Sequence, residues 1–388
     1  MLNLSPPQIL LVTRNFPPLV GGMEKLNFHI YQALTKKFVV ALSGPQGSKA
    51  FHNLDMYAEF PFKPLWKYIL VSFFKTIWLA LKVKPSVVFS GSGAAILASF
   101  FAAKLTSAKL ICYLHGLDII AANPIYQCLF VPLIKQSDCV VVNSNHTRLL
   151  AIKAGVAQEK IILLPPGAEM PDLNKREYLI KSFSDAYEFG TKPFLLIVGR
   201  ITKRKGIIEF IQHVMPALIN EHPELVLIII GDEATQAMQV TKGVKYDIQQ
   251  AISDLNLTNN VKLIGSVSDE MLSAAFFSSE LLVFPVLNLP NDVEGFGMVA
   301  IEAAAHGLPT LGFSVGGVPD AIGEGTSGWL IESGNYQAML HVIRLRLNKT
   351  LEPQVTKESC QEFSHYFAWP NFEKKLANLI ETVVETTN

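Results

Sequence analysis

An α/β protein of two similar halves is the architecture this sequence predicts, and three observations predict it. Short apolar runs alternate with helical stretches along the chain, and the runs fall into two series divided by a polar, turn-rich stretch. At 388 residues the chain is too long for one ordinary core, so two domains of about 150 to 200 residues are expected. The 49% of hydrophobic residues is ample for two buried sheets.

The first series comprises QILLVT, FVVAL, SVVFS, KLICYL, DCVVVN and KIILLP, up to about residue 165. Strands alternating with helices in this way build a parallel sheet covered on both faces. The run Pro85 to Ala103 carries no charge over nineteen residues, the length of a membrane span. Its four serines, with Gly91 and Gly93, favour instead a buried strand feeding an apolar helix. The second series reads FLLIVG, LVLIIIG, VKLIG, ELLVFP, PTLGF and GWLI. Between the two, PPGAEMPDLNKREYLIKSFSDAYEFGTKP reads as a linker. The final WPNFEKKLANLIETVVE has helical periodicity. The expected boundaries are therefore 1–166, a linker over 167–192, a second domain over 193–365, and a closing helix within 366–388.

The 33 basic and 33 acidic side chains cancel, so no whole-chain field exists for holding nucleic acid, and no nucleic-acid partner is expected. Any bound anion must be held locally. Cys112, Cys128, Cys139 and Cys360 show neither a CxxC pair nor metal-ligand spacing, which suits free buried thiols in a reducing cytosol. The N-terminal MLNLSPPQILLV lacks a basic region and a small-residue cleavage site, so a cytoplasmic location is expected.

Several glycine turns carry no chemistry. SVVFS leads into Gly91 and Gly93, but the third glycine of a dinucleotide fingerprint is replaced by Ile96 and the nearest following acid is Asp118, so a tight strand-to-helix turn is expected. GPQGSK at 44–49 is too short between its glycines for a P-loop, and neither HExxH nor GxSxG occurs.

Three other turns carry more. Gly21 and Gly22 follow the first strand and precede an amphipathic helix, where backbone N–H groups face an anion, or where a loop needs positive φ. In LLIVGRITKRKG a strand ends at Gly199 and is followed by Arg200, Lys203, Arg204 and Lys205. Four cations in six residues at the carboxyl end of a strand suit a diphosphate, and a solvated basic loop is the competing reading. In EGFGMVAIE, Gly295 and Gly297 precede a helix, with Glu294 in the loop and Glu302 in the helix. Glycine there lets a phosphate approach backbone N–H groups, while the two carboxylates can accept hydrogen bonds from sugar hydroxyls and a ribose diol.

Taken in order, GG at 21–22, HGLD at 115–118, PPG at 165–167, GR…KG over 199–206, EGFGMVAIE over 294–302 and GGVPD at 316–320 resemble glycosyltransferase family 4 over nearly the whole chain. The resemblance implies the GT-B fold: two Rossmann-like α/β domains with parallel sheets facing across a cleft. The acceptor would lie on the first, the nucleotide-sugar donor on the second, and the closing helix would cross back to the first. It also implies retaining transfer of a hexosyl unit from a nucleoside-diphosphate sugar, with no metal and no cofactor beyond the donor. Under it, His115, Arg200, Lys205 and Glu294 form the catalytic set. Arg200 and Lys205 would neutralise the leaving diphosphate, Glu294 would contact the sugar, and His115 would hydrogen-bond it near the reacting centre. Gly21, Gly22, Gly199, Gly295, Phe296, Gly297, Met298 and Glu302 form the donor-binding set, with Glu302 on the ribose. The sequence departs from the family at Asp320, where glutamate is more usual, and at Lys203 and Arg204, whose extra charge reads as solvated.

UDP-linked and GDP-linked donors are both compatible, and the acceptor is expected to be a glycan or a lipid-linked one of cell-surface polysaccharide or glycolipid synthesis. Within 64–84, helical spacing puts Lys67, Lys75 and Lys82 in one arc beside Val71 and Trp78. That stripe fits peripheral contact with the inner face of a membrane, and it equally fits a core-packed helix with a wet lysine face, the reading preferred from sequence. Two other functions stay open: a catalytically silent nucleotide-sugar binder, and a two-carboxylate glycoside hydrolase, which would not need the basic turn.

Overall fold

The computed structural model describes residues 8–52, 56–187, 192–233, 243–352 and 354–385. The chain forms two compact units, Met1–Gly167 with Trp369–Asn388, and Ala168–Ala368. The first is built on seven strands: β1 (Gln8–Val12), β2 (Val39–Pro45), β3 (Tyr57–Phe60), β4 (Val87–Ser90), β5 (Lys109–Leu114), β6 (Cys139–Val142) and β7 (Ile161–Leu163). Their spatial order is β3-β2-β1-β4-β5-β6-β7, and every pairing is parallel. The second unit carries β8 (Phe194–Val198), β9 (Val226–Ile230), β10 (Val261–Gly265), β11 (Leu281–Phe284), β12 (Thr310–Phe313) and β13 (Gly328–Ile331) in the order β10-β9-β8-β11-β12-β13, again all parallel.

Strands covered by helices on both faces have no wet side, so they read as continuous Val, Ile and Leu rather than as an alternation. VLIII in β9 and CVVV in β6 are buried at every position. The order reverses between β1 and β4 in one sheet and between β8 and β11 in the other. Outside the carboxyl ends of strands at such a reversal, an open α/β sheet leaves a crevice for ligands.

The uncharged run from Pro85 folds as β4 followed by the helix Ile96–Thr106. No helix among the described residues is long and apolar enough to cross a membrane. Cys112, Cys139 and Cys360 are buried free thiols, whereas Cys128 is exposed, against the expectation.

One strand was not expected, and one reading is corrected. β3 is an added edge strand of four residues with alternating burial, too short to stand out as an apolar run. The stretch read as a linker contains the helix Arg176–Tyr187, whose Leu179 and Phe183 are buried in the core of the second unit with Phe194 and Leu196. Only one narrow face of that helix is apolar, so its composition reads as polar.

The closing helix Trp369–Glu385 belongs to the first unit. The Trp369 ring lies where a side chain on Gly167 would stand, 2.3 Å from an added Cβ, and it stacks on His29 at 3.7 Å. Lys36 and Lys37 pair with Glu373 and Glu381 across the same face.

Candidate functional site

The loops that follow β8 and β11 flank the reversal of the second sheet, and there the basic turn and the EGFG loop meet. After β8, Gly199 takes φ +134° and the chain enters a 3-10 turn, Lys203–Lys205, closed by Gly206 at φ +64°. A Cβ on Gly206 would lie 2.0 Å from the Pro285 carbonyl oxygen, and the Leu287 N–H donates to the Arg204 carbonyl at 2.8 Å. Only glycine accommodates both the left-handed conformation and this backbone approach. The basic turn is thereby fixed to the segment after β11.

A second glycine pair fixes the other side. Gly316 has φ +56°, and a Cβ on it would meet the Glu294 carbonyl at 2.5 Å; one on Gly317 would meet the Gly295 carbonyl at 2.1 Å. The Gly317 N–H donates to the Glu294 carbonyl at 2.8 Å. GGVPD therefore holds the EGFG loop from behind. Gly297, at φ +102°, then starts the helix Met298–Ala305 with no side-chain cap on its N-terminal N–H groups.

The side chains so placed form a compact charge cluster. Lys205 Nζ donates to Glu294 Oε2 at 2.8 Å and lies 4.6 Å from the centre of the Phe284 ring. Arg204 pairs with the same carboxylate through Nη1, and its Nε lies 2.9 Å from Asp292 Oδ1. Burial alone would raise the Glu294 carboxyl, but the Lys205 and Arg204 charges outweigh it and hold the group at about 2. Burial lowers Lys205 while Glu294 offsets part of that, and Arg200 is close enough to lower it further. For Arg204 burial works against the charge, and Glu294 and Asp292 more than compensate, raising it.

An ammonium has three donors, and among the described residues Lys205 has one acceptor, Glu294. Arg200 is exposed at the end of β8. Arg200, Arg204 and Lys205 bring three cations to two carboxylates here, so the cluster carries a surplus of positive charge with donors to spare. That suits a doubly charged anion.

Several predicted residues sit otherwise than expected. Arg204, read as solvated, is buried, because Glu294 and Asp292 neutralise it. Glu294, expected to await a sugar hydroxyl, already has both cations as partners. Phe296 is buried, with its ring 5.7 Å from that of Phe367, so only its backbone is available to a donor. Met298 is the first residue of the helix and is partly buried against the core, and Glu302 lies half-buried one turn on. Asp292 was missed; its signal is its place two residues before Glu294 in NDVEGFG.

The reversal of the first sheet is built differently. Gly21 is extended (φ 160°, ψ 174°) and caps the helix Gly22–Thr35, so neither glycine is there for a left-handed turn. A Cβ on Gly21 would stand 2.4 Å from Glu24 Oε2, and Asn15 holds the other oxygen of that carboxylate at 2.6 Å. Thus an acid lies over the turn where an anion was expected. His115, after β5, is buried; its Nε2–H donates to the Gly91 carbonyl at 2.9 Å, which leaves Nδ1 as the acceptor in the neutral ring. The Asp118 carboxylate accepts from the His115 backbone N–H at 2.9 Å, and Gly116 supplies the left-handed turn between them (φ +100°). Within the HGLD motif, aspartate and glycine hold the histidine. His115 belongs to one unit and the charge cluster to the other.

Two family models match: "Glycosyltransferase Family 4" over residues 20–170 and "Glycosyl transferases group 1" over residues 181–365. The chain is 24% identical to the GDP-mannose-dependent alpha-(1-6)-phosphatidylinositol monomannoside mannosyltransferase of Mycolicibacterium smegmatis, over 85% of this chain and 87% of that one. It is 26% identical to the capsular polysaccharide biosynthesis glycosyltransferase CapM of Staphylococcus aureus, over 78% and 80%. Among solved structures, Anabaena HepE in complex with UDP and glucose superposes with a TM-score of 0.78 at 18% identity, over 97% of this chain and 99% of that one. The two parallel sheets, the reversal points and these matches agree, and the chain belongs to the group 1, family 4 glycosyltransferases with the GT-B fold.

Proposed function

We propose that this glycosyltransferase moves a hexosyl unit from a UDP- or GDP-linked sugar to a glycan or lipid-linked acceptor with retention of configuration, in cell-surface polysaccharide or glycolipid synthesis. The observation that carries the donor assignment is the cation-rich turn after β8, locked against the EGFG loop by Gly206 and the Glu294 ion pairs. In this reading Arg200 and the spare donors of Lys205 receive the diphosphate, and the uncapped start of the helix Met298–Ala305 adds its N–H groups. Charge on the leaving diphosphate grows in the transition state, where fixed cations stabilise it most. Those cations, rather than a metal, take up that charge. Glu302 holds the ribose, and His115, anchored through Nε2, offers Nδ1 to a sugar hydroxyl.

Glu294 acts first as the counter-ion that sets Lys205 in place, and its contact with the sugar is made from that fixed position. A carboxyl held at about 2 cannot serve as the general acid of a glycoside hydrolase near neutrality. The relatives' names support both sugar-nucleotide use and surface-glycan chemistry: one is GDP-mannose dependent, another makes capsule, and the HepE structure holds UDP. The test is transfer from a panel of UDP- and GDP-sugars to lipid-linked and soluble glycan acceptors, with the anomeric configuration of the product read by NMR. Retained configuration from one donor supports the reading. Inversion, or hydrolysis of plain oligosaccharides without nucleotide, contradicts it.

A further inference from the structure

The first unit carries a surface that the donor chemistry does not use. The helix Leu65–Val83 buries Tyr68, Ser72, Thr76, Leu79 and Ala80 against its own sheet. Its opposite face is a stripe of large apolar side chains: Trp66 is 65% exposed, Phe74 67% and Trp78 58%, with Leu70 and Leu81 half exposed beside them. Spacings of four, four, four and three residues put these five along one side of the helix. The neighbouring helix Ile96–Thr106 extends the patch with exposed Phe101 and Leu105, and Phe73 joins the two helices by an edge contact to Phe101, ring centres 5.5 Å apart. Scattered exposed leucines need no explanation; a contiguous patch with two tryptophans does.

Charge identifies what the patch faces. The whole chain is neutral, yet between Glu59 and Asp138 it carries eight lysines and a single acidic residue, Asp118. Asp118 is engaged with the His115 backbone. Neither helix of the patch contains an acid. Lys67, Lys75 and Lys82 are exposed along the stripe, Lys82 lying 5.5 Å from the Trp78 ring, and Lys104 lies 6.0 Å from the Phe100 ring. Aromatic and aliphatic side chains flanked by lysines and free of acids complement a surface that is apolar below and anionic above. A second copy of this chain would bring like charges together, because it presents the same lysines.

We infer that this two-helix face docks onto the anionic surface of a lipid bilayer, with Trp66, Phe74 and Trp78 entering the headgroup boundary. Its orientation gives the docking a use. The helix Leu65–Val83 begins just after β3, at the carboxyl edge of the sheet, where Arg14 Nη2 donates to the Phe62 carbonyl at 3.2 Å. His115 follows β5 at that same edge. The stripe thus starts beside the crevice of the first sheet, which selects an acceptor anchored in the bilayer; this last step rests on the transferase reading, whereas the docking itself does not.

The test is sedimentation of the full chain with phosphatidylcholine vesicles, with and without about a quarter phosphatidylglycerol, at about 50 and about 500 mM salt. Tryptophan emission is read in parallel. Trp66 and Trp78 are exposed while Trp329 and Trp369 are buried, so docking shifts the emission to the blue. Binding is expected only with the anionic lipid and at low salt. It should fall about fivefold for each of Lys67→Gln and Lys75→Gln, and it should be lost in Trp66→Ser/Phe74→Ser/Trp78→Ser, while Tyr246→Ser, on the second unit, leaves it intact. Melting of the stripe variants is expected to match the parent because the replaced groups are already in water. No binding to anionic vesicles, undiminished binding by the stripe variant, or a dimer that buries the stripe would each overturn the inference. Nucleoside-diphosphate binding without vesicle binding refutes the surface and spares the donor site; vesicle binding without nucleotide binding does the reverse.

Discussion

The two reversal points share a topology and differ in chemistry. In the second unit the crevice is lined by three cations and two carboxylates, in loops fixed by Gly206, Gly316 and Gly317. In the first it is lined by Gly21, Gly91 and a histidine held through its ring and its backbone, with Glu24 laid over the glycine turn. An open parallel sheet supplies a place for a ligand, and the loops decide its charge. The second unit is prepared for an anion, whereas the first offers hydrogen bonds with little net charge. Most of the charged cluster orients itself: Glu294 and Asp292 hold Arg204 and Lys205 so that they need not reorganise when the ligand arrives.

The largest break in this contrast should come from Arg204→Ala. It takes the arginine from the partly buried Asp292 and leaves the buried Glu294 with Lys205 alone, and about 3 kcal/mol of stability should be lost in urea unfolding. Arg200→Ala is expected to invert the pattern: the side chain is exposed, so stability should change by less than about 0.5 kcal/mol, while kcat/KM falls by about a hundredfold. Comparable losses of stability and turnover in Arg200→Ala would show that the basic turn is only structural. Gly206→Ala should cost at least about 1–2 kcal/mol for its left-handed conformation, since the Pro285 carbonyl also blocks the added methyl.

The smallest effects separate the units by pH. Glu294 is held at about 2 against an ordinary 4.5, so its contribution is complete above about pH 4.5 and is lost as pH falls towards 2. Glu294→Gln should flatten that part of the acid-unfolding curve. In the first unit, burial lowers His29 to about 4 from 6.5, helped by Lys25 and Lys36. The unfolded chain therefore takes up the proton first, and stability there declines as pH drops from 6.5 towards 4. Fluorescence of Trp369, stacked on His29, should change in the higher window and the second unit should respond in the lower one; coincident transitions would refute the separation.

The sequence announced what rests on local pattern. Strands such as β6 and β9 are unbroken apolar runs, and the turns after β8 and β11 show as glycines beside charges. What stayed hidden depends on pairing across the fold. Arg204 looks like any cation in a basic loop until Asp292 and Glu294, about ninety residues away, are brought against it. Phe296 reads as part of a binding loop, yet its ring turns into the core. The helix Arg176–Tyr187 passes for a linker because Leu179 and Phe183 are a thin apolar seam in polar sequence. The stripe on Leu65–Val83 was legible as lysines beside Trp78, but its exposure was not, since an apolar helix face looks the same whether it meets a sheet or water.

The most direct test of the central claim is calorimetric titration of UDP and GDP into the parent chain and into Arg200→Ala. One of the two nucleotides should bind the parent, and Arg200→Ala should weaken it at least about tenfold, the loss of a charge-assisted hydrogen bond, with the melting temperature unchanged. Equal binding by both proteins, or binding of neither nucleotide by the parent, would contradict the assignment of the second unit's charged crevice as the diphosphate site.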